Sequence, residues 1–201
     1  MKLKLLAQVP FAPEESFDFY EDRLVVNQDE YLYENIEGYG FLLTNKSQSV
    51  NFIPIANSTV YELNIFEKGQ RYTYSKNAGN AMLFKNNKQR TVAVIYVELV
   101  KCIDTFIAPH VYQKVIKDYE ENEHIVIGGL TLDGDAIIKK GAFGRQKELS
   151  LGYYTGTRIE AGQVKICGPG NKIFYQCALS QYNAPLAGPI LNTIFDSMYE
   201  R

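Results

Sequence analysis

The longest stretch of helical periodicity lies in the middle of the chain, over residues 91–121. Apolar residues recur there at intervals of three and four with polar residues between them, which predicts an amphipathic helix lying on a partner surface. The apolar stripe comprises Val92, Ile95, Tyr96, Leu99, Cys102, Ile103, Phe106, Ile107, His110 and Val111. Pro109 removes one backbone hydrogen bond and clashes with the preceding turn, so we expect a kink or a break near residues 105–108.

Short strands are predicted on the N-terminal side of this helix, because apolar and polar residues alternate there between glycines and polar corners. The predicted strands cover residues 2–8, 16–20, 22–26, 31–43, 49–55, 59–67 and 70–76. Polar residues predict turns at 45–48 and at Ala56-Asn57-Ser58, and Lys68-Gly69 predicts a hairpin. Residues 77–89 are rich in Asn and Lys and predict a loop, with Met82–Phe84 as an apolar anchor within it.

Strands followed by a helix recur after residue 122. The runs HIVIGG, LTLDGDAIIKK, KELSLGYYTG and TRIEAGQVKICGPGNKIFYQCALS are typical of strands. Asp133-Gly134, Ala161-Gly162 and residues 168–171 are turn signals between them. Asn183 is predicted to cap a final helix with Pro185 in its first turn. The apolar stripe of that helix comprises Leu186, Ile190, Leu191, Ile194, Phe195 and Met198.

This element order predicts an α+β fold that is rich in β-structure. We expect two small antiparallel β-barrels or curved sheets, each closed by a C-terminal amphipathic helix that covers the apolar face of the sheet. Domain 1 is placed at residues 1–121 and domain 2 at residues 122–201, and both lengths suit small domains.

The chain resembles tandem bacterial proteins with pleckstrin-homology-like (PH-like) domains, in which short antiparallel strands precede one C-terminal helix. The resemblance is carried by FDFYEDRLVV and TVYELNIF in the first half, and by IVIGGLTLDGDAIIKK, GQVKIC and NAPLAGPILNTIF in the second. Eukaryotic members usually carry a tryptophan in the closing helix. This chain has no tryptophan, and Phe106 or Phe195 is the nearest substitute.

Composition and charge narrow the functional classes. The chain has 201 residues, 46% of them hydrophobic, with a formal net charge of -2. A general nucleic-acid binder needs a basic surface, so we expect no nucleic-acid partner. Cys102, Cys167 and Cys177 cannot all pair within one chain and lack the spacing of zinc ligands, which indicates a reducing compartment. With neither a signal peptide nor a membrane span in the sequence, we expect a cytoplasmic protein.

Residue patterns typical of catalysis are scarce, and we therefore expect no enzyme, no metal site and no cofactor. His110 and His124 have no recognisable nucleophile motif beside them. Residues 168–172 lack the spacing and the following helix of a phosphate-binding loop, so they predict a hairpin turn. Asp133 and Asp135 are explained by turn chemistry without a metal ion.

An acidic stretch runs from Glu14 to Glu37, with nine carboxylates and one arginine. We predict a protein-binding face there for a partner with a basic surface, with Asp18, Glu30, Glu34 and Glu37 as the candidate contacts. The alternative interpretation is a solvated sheet edge.

A basic cluster in the second half comprises Lys139, Lys140, Arg145 and Lys147. The resemblance to lipid-binding PH-like domains implies that this loop contacts an anionic lipid or phosphoinositide headgroup, and four cations near two glycines could hold a phosphate. The alternative is a solvated hairpin with ordinary charges.

The sequence therefore favours a non-enzymatic binding or scaffolding module that engages a protein partner. Recruitment to anionic membrane through the basic loop remains an alternative. A partner-neutralising protein of the immunity type and a small-molecule carrier or enzyme are also open. The sequence leaves the oligomeric state undetermined.

Overall fold

The computed structural model describes residues 3–12, 15–50, 53–81, 87–141 and 144–199. By its contacts the chain divides into two compact units. Unit 1 comprises Met1–Glu37 and Phe41–His110, and unit 2 comprises Gly38–Gly40 and Val111–Arg201. The predicted domain boundary between residues 121 and 122 stays a prediction.

Unit 1 contains a four-stranded and a three-stranded antiparallel sheet, and each is a simple meander. The first sheet is formed by β1 (Leu5–Ala12), β2 (Glu15–Tyr20), β3 (Arg23–Val26) and β4 (Asp29–Leu32). A single 3-10 turn, Tyr33–Asn35, leads into the second sheet of β5 (Ile36–Val50), β6 (Ile53–Glu67) and β7 (Gln70–Ala81). By its contacts, the Gly38–Gly40 part of β5 belongs to unit 2. Phe19 on β2 pairs with Leu24 on β3, and both are fully buried, as alternation predicts for a sheet with one covered face.

Strands β5, β6 and β7 are longer than predicted. β6 runs without interruption through Ala56-Asn57-Ser58, and β5 runs through residues 45–48, so both predicted turns are wrong. β6 pairs with β7 from Ala56↔Ala81 to Glu67↔Gln70, and this ladder satisfies the backbone whatever the polarity of the side chains. The predicted loop at 77–89 is wrong at both ends, because β7 reaches Ala81 and a helix begins at Asn87. Met82–Phe84 lies outside the described residues.

The central helix is confirmed. It consists of α1 (Asn87–Cys102), a π-helical segment (Ile103–Ile107) and α2 (Ala108–Asn122), which follow one another without a break. Among its described side chains, from residue 93 onwards, the buried ones are Tyr96, Leu99, Cys102, Ile103, Ile107, Val111 and Val115, whereas His110 is exposed. The irregularity expected before Pro109 takes the form of the wider π turn, closed by a hydrogen bond from the Ala108 N–H to the Ile103 carbonyl.

Unit 2 repeats the element order of unit 1. Its four-stranded sheet comprises β8 (His124–Ile127), β9 (Leu130–Asp133), β10 (Ala136–Lys140) and β11 (Gln146–Ser150). A 3-10 turn, Leu151–Tyr153, precedes the sheet of β12 (Gly156–Glu160), β13 (Gln163–Gly168) and β14 (Lys172–Ala178). A second 3-10 turn, Ala184–Leu186, then leads into α3 (Ala187–Tyr199). The predicted turns at Asp133-Gly134, Ala161-Gly162 and 168–171 are confirmed.

One backbone hydrogen bond is repeated at the same place in both units. In unit 1 the Tyr33 N–H donates to the Asp22 carbonyl at 2.9 Å, and in unit 2 the Leu151 N–H donates to the Asp135 carbonyl at 2.6 Å. Each donor begins the 3-10 turn after the four-stranded sheet, and each acceptor precedes the third strand of that sheet. This contact supplies a residue-level correspondence between the halves that the sequence pattern did not.

The α+β, β-rich class is confirmed, with antiparallel sheets throughout. Within the part of the chain that the structure describes, none of the four sheets closes into a barrel. No described helix is both long enough and apolar enough to cross a membrane.

Asn183 does not cap the final helix as predicted. It adopts a left-handed conformation (φ 54°) before the Ala184–Leu186 turn and makes no side-chain cap. Its side-chain Oδ1 instead accepts a hydrogen bond from the Tyr39 N–H at 3.2 Å. A residue in this region of φ lies outside the usual geometry of an N-cap, which is extended.

Candidate functional site

An apolar groove beside an open strand edge lies in unit 2, between β12 and α3. β12 is an edge strand, since the sheet order is β12-β13-β14. The groove has a volume of about 280 Å³. It is lined by Thr157 and Ile159 from β12, Val164 from β13, and Ala184, Pro185, Gly188, Pro189 and Asn192 from the segment that ends in α3. The lining is therefore mainly apolar, with few polar groups.

Small and rigid residues at the start of α3 create this groove. A Cβ placed on Gly188 would lie 3.4 Å from the Thr157 Cβ, which is an ordinary van der Waals distance. Pro185 and Pro189 supply rigid apolar surface without adding backbone donors. A larger residue at position 188 would fill the space between helix and strand.

Tyr154 holds the polar side of the groove in place. Its buried hydroxyl donates to Asn192 Oδ1 at 2.8 Å and shares a second hydrogen bond of 2.8 Å with Thr157 Oγ1. Burial raises the pKa of Tyr154, so the neutral hydroxyl that makes these contacts persists to alkaline pH. The amide nitrogen of Asn192 makes no hydrogen bond within the described residues, which leaves a donor beside the groove.

The strand edge itself combines exposed apolar and charged residues. Ile159 is 59% exposed although it stands beside the groove. Its neighbours Arg158 and Glu160 are exposed, and the Glu160 carboxylate pairs with the Lys165 ammonium at 2.5 Å, which lowers the pKa of Glu160. Alternate residues of an edge strand direct their N–H and C=O groups away from the sheet, so β12 can accept an added strand.

Two of the four predicted acidic contacts, Asp18 and Glu30, lie on the same face of the first sheet, because both are in register with Val25 on β3. Asp18 accepts a hydrogen bond from the Gln8 amide at 2.9 Å, and Glu30 pairs with Arg23 at 2.7 Å. The Glu37 carboxylate accepts the Gly69 N–H at 3.0 Å and so stabilises the β6–β7 hairpin.

Glu34 is the remaining member of the predicted acidic face. It is exposed and makes no hydrogen bond or ion pair with other described residues. The guanidinium of Arg23 also lowers the pKa of the neighbouring Asp22. The negative charge of the stretch is therefore partly neutralised within unit 1, and its role as a docking face stays a prediction.

The predicted basic cluster is divided between the two faces of the β10–β11 hairpin. Lys139 pairs with Lys147 across the strands, whereas Lys140 pairs with Gln146 and its side chain lies on the opposite face. The Lys139 ammonium donates to the Phe174 carbonyl and lies 4.6 Å from the centre of the Phe174 ring. Lys140, Arg145 and Lys147 are exposed and make no ion pair with other described residues, so these three are available to an anion.

The two histidines and the three cysteines of the chain contact other side chains or are buried. The His110 ring packs 5.4 Å from the Tyr33 ring, and His124 lies 3.6 Å from an Asp133 carboxylate oxygen. Cys102, Cys167 and Cys177 are free and buried. Among the described residues, no group of three or more His, Cys, Asp or Glu is arranged to hold a metal ion.

Sequence reasoning missed the groove beside β12. Ile159 followed the strand pattern, and Gly188 and Pro189 lay within a helical pattern, so none of them stood out. The available signal was the unusual start of the last helix, where Pro185, Gly188 and Pro189 cluster within five residues. Small and rigid residues there indicate close approach to a neighbouring element.

No protein-family model, no curated protein and no solved structure matches the chain. The functional proposal therefore rests on the geometry described above.

Proposed function

We propose that this chain is a non-enzymatic protein-binding module, and that unit 2 binds an extended segment of a partner by strand addition to β12. The observation that carries the proposal is the open edge of β12 next to the apolar groove against α3. In strand addition, main-chain hydrogen bonds supply affinity and pockets for alternate side chains supply specificity.

The lining of the groove defines the partner segment. An apolar side chain of the segment enters between Ile159 and Pro189, and the Asn192 amide bonds a carbonyl or hydroxyl of the segment. Arg158 and Glu160 flank the edge with opposite charges. The segment is therefore extended and apolar at alternate positions, with polar residues between them.

The order of elements along the chain is a second argument for a binding module. Four strands, a 3-10 turn, three strands and a helix occur in that order in both units. We propose on this basis that the chain is a tandem PH-like protein that acts as a scaffold. Interpretation as a partner-neutralising protein of the immunity type stays a prediction that no observation favours.

The test is selection from a phage library of random linear peptides of about twelve residues, a length that exceeds one strand, against the full chain. Selected peptides are then titrated by calorimetry against the wild type and against Ile159→Asp and Gly188→Leu. We expect both variants to lose binding, because one places a charge at the groove and the other fills it.

Ile173→Asp is the matched control. Ile173 lies on β14, the other outer strand of the same sheet, and is 51% exposed. It should bind the selected peptides as the wild type does. Peptides that bind Ile159→Asp and Gly188→Leu with unchanged affinity, or the absence of any selected peptide, would overturn the proposal.

Binding of an anionic headgroup by the β10–β11 loop is a second candidate function. The observation in its favour is the exposure of Lys140, Arg145 and Lys147 around one short loop. Co-sedimentation with anionic vesicles, compared with neutral vesicles across a salt series, tests it. Loss of salt-sensitive binding in Lys140→Gln/Arg145→Gln/Lys147→Gln would support this function, and the absence of binding at low salt would exclude it.

A further inference from the structure

A second cavity of unit 2 lies between α2 and α3 and is independent of the groove beside β12. Its volume is about 530 Å³, within the range of small-molecule sites. Its apolar surface is formed by Ile116 on α2 and by Ile194 and Met198 on α3. Ile194 is buried and Met198 is 42% exposed, so the cavity has an apolar floor and an accessible mouth.

The polar part of the lining consists of three hydroxyl side chains, Tyr119, Thr193 and Ser197, and three carboxylates. Glu120, Glu123 and Asp135 are exposed, and all three border the cavity. No basic side chain is present among the described residues that line it. Lys117, the nearest lysine in sequence, lies 3.7 Å from Glu121, and neither residue belongs to the lining.

The backbone adds negative potential at the same place. Glu120 belongs to the last turn of α2, and Ser197 and Met198 belong to the last turn of α3. Helix C-termini carry a partial negative charge that basic residues commonly compensate. Neither last turn contains a basic residue among the described residues, and the carbonyl of Tyr119 in the last turn of α2 accepts the Glu123 N–H at 2.7 Å.

The walls are held by hydrogen bonds that do not use the charged groups. At one end the Tyr112 and Thr193 hydroxyls share a hydrogen bond of 2.5 Å. On the other side the Tyr119 hydroxyl donates to the Gly134 carbonyl at 2.9 Å, and the Gly134 N–H donates to the Glu123 carbonyl at 2.8 Å. The cavity is therefore preformed. Its three carboxylates are exposed, and that of Asp135 also accepts a hydrogen bond from the Ser150 hydroxyl at 3.3 Å.

We infer that this cavity binds an amphiphilic organic cation, an ammonium or guanidinium group carried on a short alkyl chain. The alkyl chain lies against Ile116, Ile194 and Met198, and the cation is held by Glu120, Glu123 and Asp135. The same chemistry is presented by a free alkylamine and by a lysine or arginine side chain of another protein, so the experiment includes a probe for each source.

The test is a titration of the full chain, labelled at the isoleucine and methionine methyl groups, followed by NMR. The first probe is n-hexylammonium, and n-hexanol and ammonium chloride are the controls for the apolar and charged parts. We expect saturable shifts of the Ile116, Ile194 and Met198 methyl signals with n-hexylammonium. The affinity for n-hexanol should be about tenfold lower, because n-hexanol lacks the charge that several exposed ion pairs would bind. Equal binding of n-hexanol, or no shift with n-hexylammonium, overturns the inference.

Two matched triple variants test whether the three lining carboxylates bind the cation. Glu120→Gln/Glu123→Gln/Asp135→Asn removes the three lining carboxylates, and Asp118→Asn/Glu121→Gln/Asp196→Asn removes three exposed carboxylates that do not line the cavity. The first should lower the affinity for n-hexylammonium about tenfold and the second should leave it nearly unchanged. Equal affinities overturn the inference.

Met198→Lys is a second variant in case the triple substitution unfolds unit 2. It places a cation at the cavity mouth on an exposed position and should abolish binding; unchanged binding overturns the inference.

N-acetyl-lysine-N′-methylamide is the probe for the protein source. A higher affinity for N-acetyl-lysine-N′-methylamide than for n-hexylammonium would indicate that the natural ligand is a side chain of another protein. The opposite order of affinities would indicate a free amine. Ile159→Asp should bind both probes normally, so failure of the peptide proposal remains distinguishable.

Discussion

Tyr39 and Asn183, 144 residues apart in the chain, are joined by two hydrogen bonds. The Tyr39 N–H donates to Asn183 Oδ1 at 3.2 Å, and the Asn183 N–H donates to the Tyr39 carbonyl at 3.1 Å. Both residues are buried. The pair ties residues 38–40 to the segment before α3 within unit 2.

Gly40, the neighbour of Tyr39, packs so closely against the Ser180 and Gln181 backbone that a side chain does not fit without a shift. A Cβ on Gly40 would lie 2.6 Å from the Ser180 carbonyl carbon, which is backbone and cannot rotate away. We expect Gly40→Ala to lower the free energy of unfolding by about 1–3 kcal/mol, as overpacking does. Chemical denaturation measures the change. Gly188→Ala is the control, because its Cβ makes only ordinary contacts, and it should be neutral or stabilising.

Asn183 contributes through both its side chain and its backbone conformation. Asn183→Gly keeps the left-handed conformation and loses the hydrogen bond to the Tyr39 N–H, so we expect a cost of about 1–3 kcal/mol. Asn183→Ala should cost about 1–2 kcal/mol more than Asn183→Gly, because an alanine is strained at this φ. Denaturant midpoints of the two variants test the difference, and equal stabilities would show that the φ value is not a constraint.

Asn64 organises a polar network on the β6–β7 hairpin of unit 1. The fully buried Oδ1 of Asn64 accepts from Arg71 Nε at 2.9 Å and from Thr73 Oγ1 at 2.7 Å. Asn64→Ala removes this acceptor, while the exposed Arg71 and Thr73 can turn to water, so we expect a loss of about 1–2 kcal/mol in the free energy of unfolding. Gln70→Ala, on the exposed end of the same hairpin, should change it by less than about 0.5 kcal/mol. A loss of similar size in both variants would contradict a specific role for the network.

The buried thiol of Cys177 makes the free energy of unfolding decrease at alkaline pH. Burial raises the pKa of its thiol from the ordinary 9.0 to about 11. The unfolded thiol releases its proton first as pH rises, so the contribution of the buried thiol is complete below pH 9.0 and is lost as pH rises through about 11. The buried tyrosines act in the same direction.

The measurement is the free energy of unfolding of wild type and Cys177→Ala at several pH values across this window. We expect a shallower decline in the variant, because its share of proton release on unfolding is removed. Parallel declines would show that Cys177 titrates alike in the folded and unfolded chain.

Local pattern was sufficient where a residue acts through its own backbone or through near neighbours. The hairpins at Lys68-Gly69 and Ala161-Gly162 form as predicted, because positive φ at both positions of a two-residue turn suits the twist of the strands. The amphipathic helix before Pro109 is confirmed for the same reason, since periodicity reports directly which face is covered. Local polarity failed in β5 and β6, where pairing with a neighbouring strand outweighed the turn signals.

For the candidate sites too, the sequence showed local features and missed contacts between distant residues. The charged clusters were visible as runs in the sequence, but their partners were not: Gly69 for Glu37 and Phe174 for Lys139 come from distant parts of the chain. Neither the groove beside β12 nor the cavity between α2 and α3 was predicted, because each is formed by side chains from two or more elements.

By itself the sequence determined the α+β class, the order of strands and helices, most of the tight turns and the position of the irregularity before Pro109. The tertiary structure alone decided the lengths of β5–β7, the open sheets and the Tyr39–Asn183 contact. It also decided the groove beside β12 and the cavity between α2 and α3. The physical reason is range: turn chemistry and periodicity act over a few residues, whereas strand pairing and packing depend on groups that only folding brings together.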